Sequence, residues 1–306
     1  MSKQVRIFEA GDHLFDKYEV IQVIGSGGMS TVYLVKELAN PEQKWAVKVA
    51  KMERKISQRL VSEAKLLSEL DHPMLPKIAD FFSSDHDEYF FLVQEFVNGQ
   101  TVYDKFEKQD GLMNEADVIE LGLQLCEVFR YLHTQSPPVI YRDLKPSNVM
   151  ISDRNEVKLI DFGIARRHHS GKEKDTLRIG TVGFAAPEQF EKKQSDERTD
   201  IFSLGAFMYY LLTGGKYVYI SQKPVQRFRK GLSRSLKKSL KHMVRLAPDK
   251  RFQSIIEVEQ LLQKAKRESE RRQQRFFHST KWLITKYILS IMMLISVLIY
   301  IILDYL

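Results

Sequence analysis

The segment Tyr141-Arg142-Asp143-Leu144-Lys145-Pro146-Ser147-Asn148, followed thirteen residues later by Asp161-Phe162-Gly163, constrains this chain more than any other feature. A carboxylate, an ammonium and an amide stand close together in a stretch that Pro146 keeps from running on as a plain helix. With a second carboxylate nearby, they match the few parts that phosphoryl transfer to a hydroxyl requires. Asp143 can accept or orient the hydroxyl proton. Asn148 and Asp161 offer oxygen ligands to Mg2+, an ion that keeps several waters and needs few protein oxygens. Lys145 brings positive charge to the transferred phosphate. A fold that uses these groups has to gather positions 143, 148 and 161 in one place.

Upstream, Gly25-Ser26-Gly27-Gly28-Met29-Ser30-Thr31-Val32 lies between two strand-like runs. Glycines there let backbone N–H groups approach a phosphate with no Cβ in the way. A glycine-rich hairpin turn fits the same residues equally well. The next run, Ala46-Val47-Lys48-Val49, sets a lysine between apolar neighbours, where its charge needs an anionic partner. Triphosphate oxygens can serve, and so can a carboxylate from the following helix, with Glu63 best placed, one turn before Leu67. A lysine whose head reaches solvent along a buried stem is the plainer alternative.

From Tyr18 to about Glu95 the residues are largely β-branched and aromatic, in runs separated by Gly or Asn-Pro breaks. One helix interrupts them: Ile56, Leu60, Ala64, Leu67 and Leu70 recur at helical spacing, and His72-Pro73 closes the run. From about Thr101 helices dominate. Glu115–His133 reads as one long helix, and Ile201–Leu212, apolar nearly all round, as another inside the larger half. The expected fold class is α+β, a small strand-rich lobe before a larger helical one. A length of 306 residues suits one two-lobed domain, and the single cysteine, Cys126, excludes an intrachain disulfide and fits a reducing compartment. Met1–Glu9 lacks the apolar core of a secretory leader.

Together these motifs resemble the protein kinase family from Tyr18 to about Lys264. The resemblance covers the glycine loop, Lys48, Glu63, the Arg-Asp-Leu-Lys-Pro-x-Asn loop and Asp161-Phe162-Gly163. It continues through Ala186-Pro187-Glu188, Asp200-Ile-Phe-Ser-Leu-Gly205 and Arg251. It implies an N-terminal extension (1–17) and a bilobal protein-kinase fold, with an N-lobe over 18–96, a C-lobe over 97–264 and ATP in the cleft between them. By the same resemblance Ile24, Gly25, Ser26, Gly27, Gly28, Val32, Ala46, Lys48, Glu95 and Val97 contact ATP, with Gln94 at the back of the adenine pocket. Asp143, Lys145, Lys48 and Glu63 are catalytic, Asn148 and Asp161 hold Mg2+, and Glu188 pairs with Arg251. The Lys145-Pro146-Ser147-Asn148 form resembles serine/threonine kinases. Gly27-Gly28-Met29-Ser30, Gly163-Ile-Ala-Arg166 and Ala186-Pro187-Glu188-Gln189 look like the bacterial, eukaryotic-like (Hanks-type) membrane branch.

Three positions depart from the family pattern. Tyr141 replaces a histidine and can fill the same buried position. Ser30 replaces the third glycine. The stretch from Gly214 to Arg251 is short, which reduces the docking surface and keeps substrate preference from being carried over. In the activation segment, Asp161 to Glu188, Thr176 is the first candidate for autophosphorylation, before Ser170 and Thr181. Arg142, Arg166, Arg167, Lys172, Lys174 and Arg178 supply charge for such a phosphate. For Thr181 a second reading stands beside this one: a substrate-site hydroxyl that contacts Asp143 or Lys145. His168-His169 lack the other ligands of a metal site and are assigned to solvent.

Eight basic residues stand between Lys264 and Lys286 against only Glu268 and Glu270, so this stretch carries most of the net charge of +8. Beyond it, Tyr287–Leu303 holds no charged residue; as a helix it would span about 26 Å, or about 33 Å counted from Trp282. That matches a hydrocarbon core of ~30 Å. The segments expected are a basic juxtamembrane stretch (265–286), a transmembrane helix (287–303) and an extracytoplasmic stub (304–306). The basic flank places the kinase domain in the cytoplasm and meets anionic lipid headgroups. No small-xxx-small face marks a helix dimer, so dimerisation is left open. The expected partners are protein substrates and lipid, not nucleic acid, since the basic residues are those of a membrane flank. A membrane-anchored pseudokinase scaffold is the alternative reading. The intact set of Lys48, Glu63, Asp143, Asn148 and Asp161 argues against it.

Overall fold

The computed structural model describes residues 8–26, 30–51, 54–84, 89–162, 165–167, 181–191, 194–221 and 223–304; for 54–60, 84, 166–167, 276–286, 288 and 293–304 it describes the backbone alone. Gly27, Gly28, Gly163, His168, His169, Ser170 and Thr176 lie outside the described residues.

The N-terminal half is an antiparallel sheet of six strands: β1 (His13–Leu14), β2 (Tyr18–Ser26), β3 (Ser30–Glu37), β4 (Lys44–Lys51), β5 (Ile78–Ser84) and β6 (Tyr89–Glu95). Their order is β1-β2-β3-β4-β6-β5, and helix α1 (Arg54–Ser68) joins β4 to β5. Alternation along a strand sends successive side chains to opposite faces. In β4, Val47 and Val49 enter one apolar cluster with Tyr18, Val20, Tyr33, Val35, Phe91 and Val93. Ala50, on the other face, packs with Ala64, Phe90 and Leu92 beneath α1. Lys48 has the parity of Ala50 and therefore leaves the sheet on the α1 side.

The N-terminal stretch packs into the sheet, and one helix boundary differs from the expected one. The 1–17 stretch contributes Phe8 and Leu14 to the sheet's core, with the Phe8 ring edge-on to Tyr33 at 5.6 Å. The polar composition of the first residues hides this. Helix α1 ends at Ser68, before His72-Pro73, because Glu69 N–H and Leu70 N–H turn to the carbonyls of Leu66 and Leu67 and tighten the last turn into a 3-10 form.

The C-terminal half is helical. Strand β7 (Gly99–Thr101) leads into α2 (Val102–Lys108), whose capping box joins Thr101 and Asp104. Helix α3 (Glu115–His133) starts at Asn114, which caps Asp117 N–H. Short strands follow: β8 (Val139–Ile140), β9 (Val149–Ser152), β10 (Val157–Leu159) and β11 (Arg166–Arg167). Helices α4 (Pro187–Phe190), α5 (Glu197–Leu212), α6 (Val218–Ser221), α7 (Arg234–Met243) and α8 (Ile255–Asp304) complete the lobe. Helix α5 begins ahead of Ile201 because the Asp196 carboxylate caps Arg198 N–H, and every residue from Thr199 to Leu212 is buried. It is the axis of the lobe. Gly205 lets α7 approach it closely: a Cβ there would lie 2.6 Å from Met243 Cβ.

Helix α8 is continuous over 50 residues. Ile255, Val258, Leu262 and Ala265 belong to the C-lobe core. Docking continues past Lys264. Lys266 pairs with Glu120 at 2.7 Å, Arg272 with Glu115 at 2.5 Å, and Glu268 accepts bonds from the N–H and hydroxyl of Ser235 in the first turn of α7. Among the described residues no helix is long and apolar enough to cross a membrane. The 287–303 run is helical in backbone, and most of its side chains lie outside the described residues.

Candidate active site

Four strands, β2, β3, β4 and β6, align one wall of the cleft. Gly25 pairs with Val32, Val32 with Lys48, and Ala46 with Gln94, so Val32, Ala46 and Lys48 share one face of the sheet beside Gly25. Ile24 is exposed at the end of β2 and Val97 is buried just past β6. Glu95 sits between the lobes. Its backbone N–H donates to the Lys77 carbonyl at 2.8 Å, and its carboxylate takes an ion pair from Lys158 of β10 and the Lys77 N–H. Beside it, Gln94 Oε1 is buried with no hydrogen-bond partner. A buried acceptor left open is what a wall completed by a polar ligand looks like.

Lys48 Nζ lies 3.0 Å from Glu63 Oε2 and 3.0 Å from Asp161 Oδ1. Burial alone would favour the neutral amine, but the Glu63 and Asp161 carboxylates outweigh it and hold the ammonium pKa above the ordinary lysine range. Glu63 is 1% exposed and accepts the Phe162 N–H at 2.9 Å on Oε1. Burial pushes its carboxyl upward, and the Lys48 charge opposes that rise. One carboxylate thus ties α1, β4 and the Asp161-Phe162 turn together.

The 141–148 loop hangs from α5. Tyr141 N–H and Arg142 N–H donate to Asp200 Oδ2 and Oδ1 at 2.9 and 2.8 Å, and His133 Nε2 lies 2.9 Å from Oδ2. Asp200 is fully buried, so these bonds carry its charge. Arg142 adopts φ 68°, a left-handed value uncommon outside glycine. The Tyr141 ring is buried edge-on to Phe162 at 4.9 Å, and its hydroxyl donates to the Ile160 carbonyl at 2.6 Å. Burial, with the charges of Asp143, Asp161 and Glu63 around it, keeps this phenol pKa well above its usual value, so it is a neutral donor.

Asp143 is the centre of the loop. Its Oδ2 accepts Asn148 Nδ2 at 2.9 Å and lies 3.1 Å from Lys145 Nζ. Its Oδ1 accepts the Thr181 hydroxyl at 2.8 Å, and Lys145 Nζ donates to the same hydroxyl oxygen at 3.2 Å. Thr181 therefore sits where the second reading put it, as a hydroxyl held by both residues. Asn148 commits its amide nitrogen to Asp143, which leaves its oxygen as the atom suited to a hard cation. The Asn148 carbonyl accepts Ile160 N–H at 2.9 Å, which sets Asp161 beside the loop. Among the described residues no three His, Cys, Asp or Glu side chains cluster as metal ligands; one Asn and one Asp fit Mg2+, which keeps its waters.

The end of the activation segment is fixed by a bidentate pair. Arg251 Nη1 and Nη2 donate to Glu188 Oε1 and Oε2 at 2.7 and 2.8 Å, and both residues are buried. The expected Glu188–Arg251 partnership is present. Asp200, Gln189 and His133 belong to this framework and were given no role from sequence. A polar residue in the first turn of an otherwise apolar helix was the available signal for Asp200, since a buried carboxylate needs several donors.

The protein kinase domain family matches residues 18–276. Serine/threonine-protein kinase PknB of Mycobacterium leprae is 31% identical over 267 residues, 80% of this chain and 42% of that protein. PknB of Mycolicibacterium smegmatis is 35% identical over 222 residues, 70% of this chain and 35% of the other. Serine/threonine-protein kinase PrkC of Bacillus subtilis is 28% identical over 209 residues, 67% of this chain and 31% of the other. The chain spans less than half the length of these relatives.

Proposed function

The chain belongs to the protein kinase family, in its bacterial serine/threonine (Hanks-type) branch, and from that premise we propose that it transfers the γ-phosphate of ATP to serine and threonine hydroxyls of proteins. One observation carries the reading. Lys48, Asp143, Asn148 and Asp161 converge on one cleft, bound to one another through Glu63, Tyr141 and the Ile160 N–H.

Each residue then has a task. The Lys48 ammonium, kept charged by Glu63, takes phosphate oxygens. Asn148 and Asp161 hold Mg2+, which would neutralise triphosphate charge when bound. Asp143 orients an acceptor hydroxyl and takes its proton, a reading supported by the Thr181 hydroxyl that donates to it at 2.8 Å. Lys145 stands over the same point and stabilises charge on the transferred group. Autophosphorylation of the activation segment at Thr176 is part of the reading. Thr181 is less suited, because its hydroxyl is engaged by Asp143 and Lys145.

The direct test is phosphotransfer from ATP and Mg2+ to the protein itself and to a generic basic protein. Asp143→Asn and Lys48→Met should each lower the rate by about 10²–10⁴-fold. Equal label in all three proteins would remove the enzymatic reading. Phosphosite mapping tests Thr176: Thr176→Ala with undiminished activity would exclude its role.

We further propose that the apolar 287–303 run anchors the chain in a bilayer as a single span. The basic flank would lie on the cytoplasmic side against anionic headgroups. Lys264, Arg267, Arg271 and Arg275 are exposed on α8, in keeping with that role. Extraction decides it: an anchored chain stays in the membrane pellet after alkaline carbonate and leaves only with detergent.

A further inference from the structure

Gln189 is 2% exposed in the short helix α4, next to the anchored Glu188. Its Oε1 accepts the Ala186 N–H at 2.8 Å, and its Nε2 donates to the Arg142 carbonyl at 3.0 Å. Only one orientation of the amide serves both bonds, because a peptide N–H must donate and a peptide carbonyl must accept. A glutamine is therefore read at this position by chemistry as well as by size. Glutamate has no donor for the carbonyl, and methionine has neither group.

The bonded carbonyl belongs to the residue that precedes Asp143. Arg142 holds φ 68°, and such a backbone persists only where its surroundings fix it. Asp200 takes its N–H from the α5 side. Gln189 takes its C=O from the activation-segment side. The two peptide planes that meet at the Arg142 Cα are thus held one each, the 141–142 plane by Asp200 and the 142–143 plane that leads into Asp143 by Gln189, from helices 58 and 47 residues further along the chain.

We propose that Gln189 is a positioning residue for phosphotransfer, acting through the Arg142 carbonyl on Asp143. It makes the aim of Asp143 depend on the seating of α4. This rests on the proposed kinase activity. Gln189 itself need not meet ATP or the acceptor.

The test uses the full chain in detergent micelles and compares wild type, Asp143→Asn, Gln189→Glu and Gln189→Met. Both Gln189 variants should lower kcat by about 10- to 100-fold, as small misplacement of a catalytic group does, with KM for ATP within about twofold of wild type. Amide hydrogen exchange over 139–148 should be faster in both. Gln189→Glu keeps the bond to Ala186 N–H and should retain more thermal stability; if Gln189→Met fails to fold, it carries the test alone. Unchanged exchange over 139–148 overturns the proposal. So does unchanged kcat, or a kcat lost only in step with KM for ATP and with folded fraction. A wild type no faster than Asp143→Asn would defeat the kinase reading instead, and the exchange measurement would still judge the Gln189 link.

Discussion

On the strand side of the cleft, Lys48 is held by two carboxylates from outside its own sheet, Glu63 of α1 and Asp161 of the facing lobe. On the helical side, Asp143 sits in a loop held by main-chain bonds to a fully buried side chain, Asp200, and by the Gln189 amide. The first arrangement is one of charge, and charges can be shared with an incoming triphosphate. The second is one of geometry, built from directed bonds to peptide groups with little slack. In the proposed reaction, the part that receives the triphosphate would be the one able to exchange partners, and the part that aims the proton acceptor the one held in place.

Breaking the helical-side framework should have the largest effect. Glu188→Ala leaves Arg251 buried and without its carboxylate, which should cost about 3–5 kcal/mol of stability, read by chemical denaturation. A loss under 1 kcal/mol would mean that this side is no more rigid than the other. Glu63→Gln attacks the strand side and should separate the two modes. Activity should fall about 10- to 100-fold, or about 1.4–2.7 kcal/mol of barrier, while the denaturation midpoint stays near wild type. An equal loss of stability would make Glu63 a structural residue and blur the contrast.

Tyr141→Phe keeps the ring against Phe162 and removes only the bond to the Ile160 carbonyl. About 1 kcal/mol of stability should be lost. Lys266→Ala sharpens the comparison from outside the site. Its partner Glu120 and Lys266 itself are 41% and 46% exposed, so the change should stay within about 0.5 kcal/mol. A larger value would show that ion pairs in the helical lobe matter whether or not they are buried.

Much of the strand side was legible in the residues. The lysine between apolar neighbours in Ala46-Val47-Lys48-Val49 called for an anionic partner, and helical spacing offered Glu63, one turn before Leu67. The order of the polar motifs along the chain pointed to the same cleft. What the residues did not disclose were bonds between side chains and main chain across long separations. Asp200 meets the Tyr141 and Arg142 N–H groups 59 and 58 residues away, and Gln189 meets the Arg142 carbonyl 47 residues away. Periodicity reports burial, and it is blind to which peptide group a buried polar atom will face. The end of α1 and the start of α5 moved for a related reason, since local N–H groups found 3-10 or capping partners that apolar spacing does not encode. Phe8 and Leu14 joined the core although the first residues are mostly polar, because two large side chains suffice to seal the edge of a sheet.

Helix α8 carries both the last layer of the C-lobe core and the apolar run, with no break between them. Were the apolar run anchored as proposed, a joint at that place would let the lobe swivel in every direction. A rod without a joint would instead give it one bearing and one height, set by how the rod is planted. Any tilt or twist of the far end is then felt at Glu115 and Glu120, where α8 grips the lobe.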